Sequence, residues 1–203
     1  MAAYPLLGLG QVVTGQGQID EGERLHRESL EILRHTDDRH IAELAMRELA
    51  GILYWQGKNA EAHLLLEDNI RFCEDLGIRR LLDVSYAYLC NVELQLGQYG
   101  AARSAASACL ALHQEQEGAH PYIQPAGLFG SIKLAEGSYA EALPLFKESV
   151  AKSRETGYRW WTSAGLSLLA VACCGLERFP PAKKHLTEAL QIAVDIQDHF
   201  VCI

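Results

Sequence analysis

The sequence predicts an all-α fold, an array of about five helical hairpins stacked one on the next. Three observations predict it. Apolar residues recur at spacings of three and four, as in Leu6, Leu9 and Val13 or Met46, Leu49 and Leu53, which marks amphipathic helices. The chain repeats itself every forty residues across its 203, and self-similarity on this scale marks a solenoid whose units bury their apolar faces against neighbours. No strand alternation or low-complexity linker interrupts the pattern.

The repeat shows as columns. Gly17, Gly57, Gly97 and Gly137 stand forty apart, with Glu177 in the fifth slot. Ahead of them lies a small column, Gly10, Ala50, Cys90, Gly130 and Ala170, and after them a second, Gly22, Ala62, Ala102, Ala142 and Ala182. Apolar columns run Leu9, Leu49, Leu89, Phe129, Leu169 and Leu30, Ile70, Leu110, Val150, Leu190. Each repeat therefore reads as a helix A, a turn and a helix B. The small columns let A and B approach closely, and the glycine slot ends helix A because glycine takes a left-handed turn without steric cost.

Repeats fall near 1–38, 39–78, 79–118, 119–158 and 159–198, one array over 1–203 with 199–203 at the start of a further helix. The expected helix pairs are 3–15/18–35, 40–56/58–76, 80–96/98–116, 121–136/138–156 and 160–175/179–197. Ser138 and Glu141 have the spacing of a capping box, and Pro180-Pro181 suits a first turn that needs no amide donors. Pro121 and Pro125 delay the fourth helix A, and Pro144 bends the fourth helix B. Short links lie at Asp37-Asp38, Gly77, Gly118 and Gly157.

Composition narrows the function. There are 18 Lys+Arg against 26 Asp+Glu, a net charge of -8, so clustered phosphate contacts are not expected and direct nucleic-acid binding is set aside. No apolar run suits a membrane span. Cys73, Cys90, Cys109, Cys173, Cys174 and Cys202 form no C-x-x-C pair, and most lie on apolar stripes as small hydrophobes. Free buried thiols point to a cytoplasmic protein. No phosphate loop, zinc-protease or nucleophile-elbow motif is present. His35 and His40 beside Asp37-Asp38 read as a polar turn. No catalytic residue, metal or cofactor is expected.

The segment from Leu49 through Ala50, Tyr54, Gly57 and Asn59 to Ala62 resembles the core of the tetratricopeptide repeat, and so does Phe129-Gly130 running to Gly137, Tyr139 and Ala142. The resemblance implies a right-handed α-α superhelix whose A helices line a concave binding groove. Two departures stand out. The period is forty rather than thirty-four, and the column that usually carries Tyr reads Val13, Leu53, Glu93, Lys133 and Cys173. Long repeats of this kind are similar to the sensor regions of bacterial ATPase transcriptional regulators, and to the peptide-binding arrays of kinesin light chains and quorum-sensing regulators.

Carried over by phase, the family's contact positions fall on Tyr4, Gln11, Arg47, Tyr54, Trp55, Asn91, Gln95, Gln124, Ser131 and Ser167, with Arg47 as a carboxylate clamp and the aromatic rings as platforms. The implied function is a non-catalytic module that binds a protein or peptide, the sensor or interaction part of a larger signalling and transcription regulator. The alternative is a small-molecule effector sensor controlling a tethered ATPase. Glu93 and Lys133, in one column of consecutive repeats, are expected to form an inter-repeat ion pair. Trp160-Trp161 is expected to pack between repeats. The sequence also reads as a stretch of a longer array, forming a homodimer through its solenoid ends.

Overall fold

The structure, a computed structural model, describes residues 3–36, 38–79, 81–115 and 123–196. Among the described residues ten helices follow one another: α1 (Ala3–Gly15), α2 (Ile19–Leu33), α3 (Arg39–Trp55), α4 (Asn59–Asp75), α5 (Leu82–Gln95), α6 (Tyr99–Glu115), α7 (Pro125–Ala135), α8 (Tyr139–Thr156), α9 (Arg159–Gly175) and α10 (Phe179–Asp195). The expected hairpins are all present, with ends shifted by a few residues. The links at Asp37 and Gly118, together with Pro121, Cys202 and the further helix at 199–203, lie outside the described residues.

The glycine slot works as its chemistry requires. Gly17, Gly57, Gly97 and Gly137 take φ of +73° to +81°, and Glu177 takes φ +58° in the fifth copy. In each, the slot's amide and the one after it fold back on the helix. Gly57 N donates to the Tyr54 carbonyl at 3.0 Å and Lys58 N to that of Leu53 at 2.9 Å, and Glu177 and Arg178 do the same to Cys174 and Cys173 at 2.9 Å each. These paired bonds satisfy carbonyls that the helix end leaves open.

The small columns are close approaches. A Cβ built on Gly130 would lie 2.8 Å from the Phe146 ring, one on Gly10 would lie 2.5 Å from His26, and one on Gly22 would lie 2.0 Å from Thr14 Oγ1. Ala50, Ala62, Ala102, Ala142 and Ala170 are completely buried. A second device ties the hairpins at their open ends. Ser29 Oγ donates to the Ala3 carbonyl at 2.9 Å, Asn69 Nδ2 to the Glu43 carbonyl at 3.0 Å, and Ser163 Oγ to the Ala189 carbonyl at 2.9 Å. These are equivalent positions in three repeats, with the donor moved from helix B to helix A in the last.

Two expectations at helix starts resolve differently. Ser138 makes no side-chain cap on α8, and Glu141 reaches instead to Lys133 Nζ at 2.6 Å; a nearby cation outcompetes a backbone amide for the carboxylate. The third helix A begins at Leu82 because Leu81 sits in the left-handed region at φ +67°. Pro125 and Pro180-Pro181 occupy the first turns of α7 and α10 as expected.

The chain divides into two compact units, Met1–Gln98 and Tyr99–Ile203. In the first, α3 touches both α1 and α5, with α2 packed between α1 and α3 and α4 between α3 and α5. Its core joins Leu7, Leu30, Leu33, Leu49, Leu53 and Leu66. In the second, α6 packs on α7, α8 lies between α7 and α9, and α10 packs on α9. Phe146, Leu169, Ala172 and Cys173 form its core, with Val150 and Leu166 in a smaller cluster.

Candidate functional site

Side-by-side A helices give each unit a face on which helix-borne side chains can converge. The contact positions expected in the first unit lie on three A helices: Gln11 on α1, Tyr54 and Trp55 on α3, and Asn91 and Gln95 on α5. Gln11 and Gln95 are exposed and Asn91 is half-buried. Trp55 keeps 40% of its surface exposed, while Tyr54 leans on the core, where burial raises its phenol above the usual range. At Gly51, α5 comes close: a Cβ there would lie 3.2 Å from the Tyr88 hydroxyl and ring. Burial pushes the Tyr88 phenol up to about 12. Tyr4, at the start of α1, donates to Asp38 Oδ2 at 3.0 Å and so braces the link into α3.

Arg47 takes a different role from the expected clamp. Its side chain is only 7% exposed, with Nε 3.1 Å from Glu43 Oε1 and Nη1 3.0 Å from Glu48 Oε1. Burial raises the Glu43 carboxyl above its ordinary range even with the guanidinium beside it. A charge placed there needs a partner more than it can offer one to a ligand. The other positions expected in this unit, Gln11, Tyr54, Trp55, Asn91 and Gln95, carry amides and aromatic rings.

In the second unit Gln124 precedes α7 and is half-buried, as are Ser131 and Ser167. Ser167 Oγ donates to the Ser163 carbonyl at 3.1 Å. Val171 and Cys174 are exposed on the same helix. Among the described residues Cys73, Cys90, Cys109 and Cys173 are buried and Cys174 is exposed. Burial pushes the Cys73 thiol up to about 11 and that of Cys90 to about 12, which leaves them packing groups rather than nucleophiles.

The charges expected to pair across repeats find partners inside their own units. His63 Nδ1 donates to the buried Glu93 Oε1 at 2.8 Å, and Lys133 pairs with Glu141 and, at 3.8 Å, with Glu136. Glu93 thus pairs from α5 to α4 within the first unit, and Lys133 from α7 to the start of α8 within the second. Trp160 and Trp161 meet edge to face, with centroids 4.5 Å apart. Among the described residues no group of three His, Cys, Asp or Glu could hold a metal ion, and no helix is long and apolar enough to cross a membrane.

One feature escaped the sequence. On the B-helix side of the first unit a cleft of about 380 Å³ opens between α2 and α4. Leu30, Leu49, Leu53 and Leu65 line it, beside the exposed Leu64, with Arg27 and Glu61 at its edge. The signal was available: the column of Leu64 reads Arg24, Leu64, Ser104, Pro144 and Lys184, so Leu64 is the one large apolar side chain at an otherwise outward position.

A tetratricopeptide-repeat family model matches residues 44–76. No curated protein matches the chain. Among solved structures the chain is similar to a Rap protein complexed with competence and sporulation factor, at 14% identity and TM-score 0.87, covering 98% of this chain and 56% of that one. It is similar to BtubC from P. vanneervenii at 15% identity and TM-score 0.66, covering 93% and 78%. A putative kinesin light chain of Podosopora anserina with nearly identical TPR-like repeats aligns at 20% identity and TM-score 0.63, covering 96% of each chain. The chain thus spans about half the length of the Rap protein. Residues 44–76 thus match a tetratricopeptide repeat, and the chain as a whole shares the fold of the tetratricopeptide-repeat structures it resembles.

Proposed function

We propose that this chain is a non-catalytic module that binds a peptide or an extended protein segment on its A-helix faces, as the interaction part of a larger signalling regulator. The observation that carries the reading is that the accessible expected contact side chains of the first unit are amides and aromatic rings. The expected basic contact, Arg47, is internally neutralised, while Trp55, Asn91 and Gln95 remain accessible or half-buried on adjoining helices. Amides pair with a peptide backbone in any register, and an aromatic ring supplies area at little entropic cost. The likeness of this chain to a Rap protein solved with competence and sporulation factor supports the same choice.

The test is selection from a displayed random-peptide library, followed by affinity measurement of the selected peptides. Trp55→Ala, Asn91→Ala and Gln95→Ala are each expected to weaken binding about tenfold, a loss of about 1.4 kcal/mol, with helicity unchanged. Selected peptides that bind all three variants as well as the unaltered protein would overturn the reading.

The second reading, a small-molecule effector, draws on the leucine-lined cleft between α2 and α4, whose volume falls in the range of ligand pockets. Leu64→Glu would abolish such binding and leave peptide binding intact.

A further inference from the structure

Away from the A-helix faces, the first unit holds a slot that is apolar along its length and charged unequally at its ends. The leucine-lined cleft of about 380 Å³ between α2 and α4 continues into a second cavity of about 270 Å³, and Leu30 and Leu65 are walls of both. The floor is one stripe of α3: Ala42, Met46, Leu49 and Leu53, at spacings of four, three and four that keep them on one helix face. From Ala42 to Leu53 the helix rises about 16 Å. An extended saturated chain of about twelve carbons, at about 1.3 Å per carbon, has nearly this length. In the second unit the columns of Leu64 and Leu65 read Lys184 and His185, so the apolar run is particular to the first unit and not a property of the repeat.

The two ends of the slot differ. Beside Leu53, Arg27 Nη2 of α2 reaches Glu61 Oε2 of α4 at 2.8 Å and spans the gap between the walls. Beside Ala42 stand Phe72, Arg34 and Arg39. The carboxylates along the rim already have cations: Glu61 has Arg27, Glu31 has Arg34 at 3.0 Å, and Asp68 has Arg71 at 3.6 Å. Among the described residues that line the slot, Arg39 alone of the charged side chains makes no ion pair. The unbalanced charge is therefore one cation, at one end of an aliphatic run.

We propose that this slot binds a free single-chain amphiphile with an anionic head, a long-chain carboxylate, its chain along the α3 stripe and its head at Arg39. The chain displaces water from leucine and methionine surface, and the carboxylate gives the guanidinium the partner that the protein does not supply. A neutral head leaves Arg39 as it was, and a cationic head is repelled by it. The proposal rests on the second reading of the cleft, as a small-molecule pocket, and adds the chemistry of its ligand. It is independent of what the A-helix faces bind.

Equilibrium dialysis of the full 203-residue chain is the test, with dodecanoate below its micellar concentration and dodecan-1-ol as the uncharged probe with the same chain. The unaltered protein is expected to take up one dodecanoate per chain, about tenfold tighter than dodecanol. Arg39→Gln should remove that preference and leave dodecanol binding unchanged, while Arg39→Lys, which keeps the charge, should retain most of it. Leu64→Glu should weaken both probes about tenfold or more, because it sets a carboxylate against the aliphatic chain. Arg39 and Leu64 are both exposed, so these changes spare the core, which circular dichroism checks. Dodecanol held as tightly as dodecanoate, or an Arg39→Gln protein that keeps the preference, would overturn the anionic head and leave the cleft a small-molecule pocket. Uptake of neither probe, or undiminished uptake of both by Leu64→Glu, would overturn the proposal together with the reading of the cleft. Sedimentation with phosphatidylcholine–phosphatidylglycerol vesicles is expected to leave the protein in solution. A protein that pellets with them but takes up no free dodecanoate would overturn the proposal in favour of a membrane surface.

Discussion

Asn69 and Ser85 meet at 2.7 Å in a contact with no solvent exposure, Ser85 Oγ donating to Asn69 Oδ1 while Asn69 Nδ2 donates to the Glu43 carbonyl at 3.0 Å. One side chain of α4 thereby holds the starts of α3 and α5 together. Replacing Asn69 with Leu leaves a carbonyl and a hydroxyl buried without partners. The expected loss is about 2–4 kcal/mol, read from the urea midpoint. Ser85→Ala alone should cost about 1 kcal/mol, and the double variant should cost less than the two single losses combined.

The fifth turn carries a glutamate where the others carry glycine. Glu177 at φ +58° bears the strain of the left-handed region, with its paired backbone bonds to Cys173 and Cys174 intact. Glu177→Gly is expected to stabilise the protein by about 0.5–1 kcal/mol, and Gly137→Ala, at φ +75° with open space around it, to destabilise it by about 1 kcal/mol. Thermal unfolding of both variants checks the opposite signs. A Glu177→Gly protein no more stable than the parent would show that its side chain compensates for the strain.

Gly130 lies under the Phe146 ring, and a methyl group there would sit 2.8 Å from its edge. Gly130→Ala is expected to cost about 1–3 kcal/mol through overpacking. Phe146→Leu costs stability by itself, yet in the double variant it should recover part of the alanine's penalty. Double-mutant analysis of chemical denaturation reads the coupling.

Glu23 links α2 to the turn between α3 and α4. Burial alone would raise its carboxyl, but hydrogen bonds from Lys58, Arg27 and Gln56 outweigh that and hold it near 2, below its ordinary 4.5. A carboxylate depressed on folding contributes stability that is fully present above its unfolded value and is lost as pH falls toward the folded one. The advantage of the parent over Glu23→Gln should therefore be constant at neutral pH, shrink below pH 4.5 and vanish near pH 2. Stability curves of the two proteins that run parallel across that window would refute the assignment.

The hairpin order, the period and the close A–B approaches were legible because each depends on a residue's own size and phase. Gly130 admits Phe146 whatever the rest of the chain does, and Gly57 turns left-handed on local sterics alone. The charged positions of the candidate site were not legible in that way. Periodicity placed Arg47 on an A helix, but its burial against Glu43 and Glu48 follows from how closely neighbouring helices cover it. The pairing of Glu93 with His63, thirty residues away, likewise depends on how α4 and α5 come together.

By itself, then, the sequence determined a solenoid of helical hairpins, because helix phase and glycine geometry are local properties repeated forty residues apart. Tertiary structure alone decided which polar side chains remain on the surface to meet a ligand and which are consumed within. It also decided that a cleft opens beside Leu64. Pairing and exposure depend on distances between helices, and those distances are set by packing, which no single helix encodes.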